Sequence, residues 1–460
     1  MALSAAAASR QASDLNKLAG IEWARLRRFS RYVRGRQTPP WLPDSAETEY
    51  REIARKSASN WLDLVVRATA QGLHVDGYGD RAPDKGSDLW AMAWQANSMD
   101  ANQHALHRAV LTLGYSYLIV LPSDDGVSMR PEAATNLFAV YDDPFDEWPR
   151  HAIRQVAKNR FEYYDNDAVY TIVGNLTGAP TVTEAPHGLG VCPIVKMQNQ
   201  LDLLGEPMGE IEPVIPIQDR IVDATFTLQM VSKYGAFPQR WIAGIDTTQP
   251  LRDADGEVVT DTAGNATYPQ IKAYVDHILT ASDADTKFGQ FAAADLRQYV
   301  DALEAHIRHL AAITQTPPHY LLGSLVNLSA EALAAAESGL MRKIRDRRET
   351  LGEGYEQAMR LAALILGDEE AAADESSQIH WQDVESRSLA QVADAMVKLA
   401  TVGVPLQMLL DMIPGWSKQD VEKATDLIER GGPIDRLIDE LNASQTSPPP
   451  PVVVSEPAVV

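Results

Sequence analysis

The sequence predicts an α+β fold. Three features predict it: a block of short β-branched and aromatic runs between residues 115 and 198, three-to-four-residue apolar spacing on both sides of that block, and a much longer helical pattern beyond residue 329. With 460 residues, 45% of them apolar and 23% charged, the chain has a normal globular balance and length enough for roughly two to four structural units.

Residues 1–46 combine an alanine-rich start, MALSAAAASRQ, with a basic run of Arg25, Arg27, Arg28, Arg31, Arg34 and Arg36, and read as a basic arm or helix. The start has neither a basic n-region nor a leucine-rich core, so it is not a secretory signal and the chain is expected to stay in the cytoplasm where it is made. Over residues 47–70, Tyr50, Ile53, Ser57, Trp61, Leu64 and Ala68 keep helical spacing, and QGLHVDGYG comes next as a glycine-rich turn. A second helix over residues 88–113 turns Met92, Ala96, Met99, Leu106 and Val110 inward. Then YSYLIVLP, LFAVYDD, HAIRQVA, FEYYDNDAVYTIVG and VCPIVKM, divided by Asp, Pro, Gly and Asn, predict a mainly antiparallel sheet.

Helical spacing resumes after Gly209 with Val214, Ile217, Ile221, Thr225, Leu228 and Val231; Pro213 and Pro216 confine the firm helix to the residues beyond them. Residues 237–293 are acidic and hold the turn signals DADGE and TAGN between short apolar pieces, as a small β-containing insertion would. A return helix opens near residue 294, with Leu296, Val300, Leu303, Ile307, Leu310 and Ile313 in one stripe, and Pro317 with Pro318 ends it.

The longest helix covers residues 329–366. Leu333, Ala336, Leu340, Ile344, Leu351, Tyr355, Met359 and Ala362 recur near the helical period with only Arg347 out of character. Such a helix is about 55 Å long, and Gly339, Gly352 and Gly354 permit a bend in it. Short helices with Ser388 and Ser417 at cap positions continue to residue 442, and SQTSPPPPVVVSEPAVV reads as a disordered tail.

Composition and motifs exclude several functions. A formal net charge of -22, from 41 basic and 63 acidic residues, opposes a protein that grips nucleic acid over its whole surface, though it allows one past which nucleic acid slides. No apolar run approaches the roughly 18 residues a membrane span needs. The single cysteine, Cys192 in GVCPIV, rules out an internal disulfide and reads as a small buried side chain. No phosphate-binding, nucleophile-elbow or zinc-protease motif is present, and the carboxylates form no acid/base pair. The pairs His104/His107 and His306/His309 lack a third ligand and read as solvent-facing or interfacial, so no catalytic residue, metal or cofactor is expected.

One set of segments, in order, is specific. It comprises HGLGVCPIVKMQN, FPQRWIAG, the acidic insertion, the return helix, TQTPPHYLLG, and NLSAEALAAAESGLMRKIRDRRETLGEGYEQAMRLAALILG. From about residue 50 to residue 440 this order resembles the portal proteins of tailed bacteriophages, in the type common in long-tailed phages of actinobacteria. The resemblance implies an α+β wing at 47–208, stem helices at 209–236 and 294–313, and a small α/β clip at 237–293. It also implies a tunnel loop at 314–328, a long kinked helix at 329–367, a helical crown at 368–442 and a disordered tail at 443–460.

The same resemblance implies a ring oligomer of about twelve subunits at one capsid vertex of the virion. Double-stranded DNA passes through such a ring, the host cytoplasm is where it assembles, and no enzymatic activity is its own. Its partners are the major capsid protein, scaffold, the terminase large subunit and a head-to-tail connector or adaptor. Gln315, Pro317, Pro318, His319, Tyr320 and Asn327 then line the tunnel loop, which carries no Lys or Arg from Thr314 to Ser329. Arg342, Lys343, Arg345, Arg347 and Arg348 become candidates for pairing with acidic residues of a neighbouring subunit, which would account for Arg347 in the apolar stripe. Without the resemblance, residues 314–328 read rather as an ordinary loop with Leu321, Leu322 and Leu325 in a core, and the chain as a non-viral helical scaffold or adaptor with no channel, or as an enzyme using one histidine pair.

Overall fold

The computed structural model describes residues 3–79, 89–235, 240–243, 250, 255–262, 264–267, 287–290, 295–323, 330–382, 389–410, 412–413, 416 and 418–429. Asn327, Ser329, Ser388, Ser417, most of the 237–293 insertion and the proline-rich tail lie outside these residues. The chain divides into two compact units: Met1–Ser30, Val66–Glu212 and Glu337–Val460 in one, Arg31–Val65 and Pro213–Ala336 in the other. No helix among the described residues is long and apolar enough to cross a membrane.

The first unit is built on antiparallel sheets. Strands β4 (Leu137–Val140), β5 (His151–Ala157), β6 (Arg160–Tyr164), β7 (Ala168–Val173) and β8 (Thr181–Pro186) form a five-stranded meander in sequence order. Helix α1 (Ala5–Val33) covers one of its faces. Ala8, Ala12, Leu15, Ala19 and Trp23, three or four residues apart, meet Ile153, Phe161, Tyr163, Tyr170 and Ile172. The alanines that made the N-terminus look featureless let the helix lie close on the sheet. Of the two forms expected here, a basic arm or a helix, residues 5–33 take the helix, and its apolar face belongs to the core.

A second, three-stranded sheet places β2 (Tyr115–Ser123) between β3 (Gly126–Glu132) and β9 (Ile194–Gln198). Tyr115–Val120 is buried on both faces of β2, which is why YSYLIV reads as a continuous apolar run with no alternation. Strands β3 and β8 were missed in the sequence because Pro131 and the exposed TVTEAP dilute their patterns. Neither is a buried run.

Three helical expectations change in the structure. Residues 47–70 are two helices, α2 (Thr48–Lys56) and α3 (Trp61–Ala70), because Ser57 turns its hydroxyl back to Ala54 O at 2.7 Å and Asn60 Oδ1 accepts the Asp63 N–H at 3.4 Å. The helix expected over 88–113 is a π-helical turn, Trp90–Gln95, and then α4 (Met99–Leu113), with Ser98 between them at φ +53°. That reset leaves Met92 and Ala96 exposed while Met99, Leu106 and Val110 stay inside. The glycine-rich stretch after α3 is in part a strand, β1 (Val75–Gly79), paired antiparallel with β12 (Gln378–Trp381) inside the region expected to be wholly helical. A strand whose partner lies some three hundred residues away has no local signal.

Around these sheets the first unit packs aromatic and histidine side chains. Trp90 stacks on Trp94 at 4.6 Å, Trp94 meets the edge of Tyr355 at 5.2 Å, and His107 sits within 5.8 Å of Trp381. His107 is wholly buried: Nδ1–H donates to Leu73 O at 3.2 Å and Nε2 accepts from the Tyr355 hydroxyl at 2.8 Å. It belongs to the core, unlike its exposed neighbour His104, which stacks on His74 at 5.3 Å.

The second unit holds α5 (Ile215–Gly235), opened by a 3₁₀ turn at Glu212–Val214, and α6 (Leu296–Ile313), capped by Asp295 Oδ1 on the Arg297 N–H at 3.0 Å. These helices pack together. From the insertion, β10 (Arg240–Ala243) and β11 (Lys287–Gln290) form an antiparallel pair. Only part of the expected α6 stripe is covered: Ile307 and Leu310 are buried, whereas Leu296, Val300 and Ile313 are exposed.

His107 makes the first unit sensitive to acid. Burial pushes its ring down from 6.5 to about 3. The imidazole is neutral in the fold and would charge in the unfolded chain below 6.5, so its contribution is complete above that pH and is lost as the pH falls toward 3. Urea unfolding at stepped pH is expected to show a loss on the order of 5 kcal/mol across that window from this group. A His107→Gln variant is expected to flatten that part of the profile.

Candidate functional site

The segment between α6 and the long helix starts by folding back on α6. Thr314 N–H and Oγ1–H donate to Leu310 O at 3.0 and 2.8 Å, Thr316 N–H reaches Ala311 O at 3.0 Å, and the two threonine hydroxyls lie 3.0 Å apart. Between them Gln315 takes φ +53°, the left-handed conformation that a non-glycine residue adopts at some cost. The chain thereby reverses before the prolines.

Pro317 and Pro318 do more than end a helix. Pro318 is the first residue of a short helix, α7 (Pro318–Leu322), where a missing N–H costs nothing. Tyr320 N–H closes on Pro317 O at 3.0 Å, and Gly323 at φ +66° ends the turn by donating to His319 O at 3.0 Å. The expected tunnel loop thus opens as a capped helical turn. Thr314, Thr316, Pro317 and Leu321 are buried; Gln315 and Pro318 are exposed, His319 is half-buried against the Tyr320 ring at 4.6 Å, and Tyr320 is 39% exposed. Asn327 and Leu325 lie outside the described residues.

The basic cluster lies on α8 (Ala330–Leu366), a single helix of 37 residues that continues through Gly339, Gly352 and Gly354. Gly354 serves close approach: a Cβ there would lie 2.7 Å from Met197 Sδ. Glu210 is positioned opposite the cluster by the backbone. Its N–H donates to Leu111 O at 2.8 Å, and Gly209 beside it has no room for a side chain, since a Cβ would stand 2.7 Å from Thr112 O.

The Glu210 carboxylate takes Lys343 Nζ at 3.2 Å and Arg347 Nε at 2.8 Å, with side chains 8%, 5% and 3% exposed. Asn199 Nδ2 donates to Glu210 Oε1 at 3.1 Å, and Arg347 also meets Asp346. Burial pushes the Glu210 carboxyl up, but the charges of Lys343 and Arg347 and their hydrogen bonds outweigh it and hold the group below its ordinary value. For Lys343, burial pushes the ammonium down and Glu210 recovers only part of that. Arg348 donates to Gly72 O at 2.8 Å and Gln382 O at 2.7 Å and lies 5.8 Å from the Trp381 ring centre.

Of the five basic residues, Lys343, Arg347 and Arg348 are therefore engaged with other parts of the chain, and Arg342 donates to Ser338 O of its own helix at 3.3 Å. Arg347 interrupts the apolar stripe because a buried carboxylate awaits it, so no neighbouring subunit is needed to account for it. Arg342 and Arg345 are exposed. The residue that the sequence did not reveal is Glu210, in MGEIEP, whose only trace was the arginine in the wrong place.

The sequence model of the phage portal protein family of SPP1 Gp6-like type matches residues 22–432. The chain belongs to this portal family. A portal protein of Mycobacterium phage D29 is 30% identical over 362 residues, 73% of this chain and 71% of its own length. That of Mycobacterium phage L5 is 29% identical over 367 residues with the same coverage. A chain from the neck of a native gene transfer agent particle, computed with C12 symmetry, aligns over 82% of this portal chain and 96% of its own, at 14% identity and a TM-score of 0.46. That likeness is too loose to carry an argument.

Three further reactive side chains of this portal chain lie apart from the cluster. Cys192 is fully buried, and burial raises its thiol well above the ordinary value. His306 and His309 face each other at 6.5 Å, and among the described residues no group of three or more His, Cys, Asp or Glu could hold a metal.

Replacing Glu210 by Gln leaves two buried cations without their counter-charge, and removal of one partner of a buried pair costs about 3–5 kcal/mol. The expected result in chemical denaturation is a loss of that size, against less than about 0.5 kcal/mol for exposed Arg345→Ala.

Proposed function

We propose that this portal chain works as one of about twelve copies in a closed ring at a single capsid vertex, around a channel through which double-stranded DNA enters during packaging and leaves during ejection. The family match over residues 22–432 carries the reading. On it, the sheet-rich residues 47–208 are the wing, α5 and α6 the stem, residues 237–293 the clip facing terminase and later the head-to-tail connector, and residues 368–442 the crown. Major capsid protein and scaffold are the other partners, and assembly takes place in the host cytoplasm. The ring needs no catalytic group of its own.

Two features of the chain support this reading. Leu296, Val300 and Ile313 on α6 are apolar and partly exposed, as expected of a helix packed beside copies of itself. The Thr314–Gly323 turn presents Gln315, Pro318, His319 and Tyr320, and no lysine or arginine. A surface past which DNA slides in both directions must avoid phosphate pairing, because each such contact adds to the binding free energy. In the proposed ring this turn is the start of the tunnel loop, with Asn327 further along it.

The reading is tested by solution mass and negative-stain electron microscopy. A closed ring with an open centre near 600 kDa, about twelve copies of a 50.4 kDa chain, is expected; a monomer or dimer at all salt and protein concentrations would leave a scaffold without a channel as the better account. In assembled particles, Gln315→Lys with Tyr320→Lys is expected to leave the ring intact and to lower packaged DNA roughly two- to tenfold, the defect easing as salt rises.

A further inference from the structure

A groove of about 630 Å³ in the first unit is lined by Asn199, Asp202, Glu206, Glu212, Asp346 and the single cation Arg25, with further apolar and neutral residues. Arg25 is already spent: its guanidinium binds Glu212 at 2.8 Å and Glu22 at 2.9 Å. Glu206 is exposed and forms no ion pair among the described residues. Asn199, 1% exposed, forms part of the groove wall; its amide N–H₂ donates to Met208 O and Glu210 Oε1, which leaves its carbonyl oxygen without a donor among the described residues. An acidic groove whose one lining cation is already paired calls for a cation from outside it.

We propose that the groove receives Arg345 of a second copy of this chain. The proposal rests on the ring reading above and gives one of its contacts. Arg345 is exposed and has no partner among the described residues. On α8 it stands at one edge of the exposed face, while Asp346 and Thr350, which line the groove, stand at the other, about 100–140° further round the helix axis. A cation on one flank and its acidic receptor on the other cannot satisfy each other within a single helix. They can do so between copies, by a head-to-tail contact, and a repeated head-to-tail contact is what closes into a ring.

The test is a charge-swap series on the full chain: Arg345→Glu, Glu206→Arg, and the two together. Each single variant is expected to raise the protein concentration for half-assembly roughly tenfold or more, with folding unchanged by circular dichroism. The double variant is expected to regain assembly. Rings from Arg345→Glu that match wild type at low and high salt would overturn the contact and leave the ring reading untouched, as would a double variant no better than the worse single one. A wild-type chain that never forms rings would overturn both.

Discussion

The carboxylate of Glu210 is fixed from both ends, by its own N–H on Leu111 O and by Lys343 and Arg347 on its two oxygens. This fixes the long helix in register within the sheet-bearing unit. Arg348, one residue on, donates to Gly72 O and Gln382 O, and Tyr355, two turns further, donates to His107. Between these points Leu340, Ile344, Leu351 and Met359 bury a seam that supplies favourable free energy but would tolerate a slip along the axis, since one aliphatic contact resembles the next. The polar contacts do not tolerate it. Their net contribution to stability is small after desolvation, and their value is that any other register strands a buried charge.

The same logic explains what the sequence revealed and what it hid. Helix α8 was legible to within a residue at each end because a 37-residue pattern averages out its exceptions. The buried strands β2 and β9 were legible from β-branched runs. Strand β1 and its partner β12 were not, since VDGYG and QIHW become strands only by meeting each other, and the core face of α1 was hidden because alanine contributes little to an apolar pattern. Break points set by one side chain, Ser57 with Asn60 and the left-handed Ser98, were invisible to periodicity, although Asn60 before Trp61 was a cap signal in plain view.

At the candidate site the sequence located the turn but not its form. Two prolines predicted a break, and the structure makes the second the first residue of a new helix, held by a left-handed glutamine and a pair of facing threonines. The segment has two sides: Thr314, Thr316, Pro317 and Leu321 anchor it, and Gln315, Pro318 and Tyr320 face outward.

Charge divides by depth along α8. Lys343, Arg347 and Arg348 point inward to a carboxylate and to backbone carbonyls, whereas two cations, Arg342 and Arg345, and then two anions, Asp346 and Glu349, face outward. A run written MRKIRDRRE is therefore two patterns interleaved at helical spacing, one that fixes the fold and one left for partners. For a chain of net charge -22, bringing copies together brings like charges together. An assembly of such copies therefore needs local pairing of opposite charges to offset that repulsion.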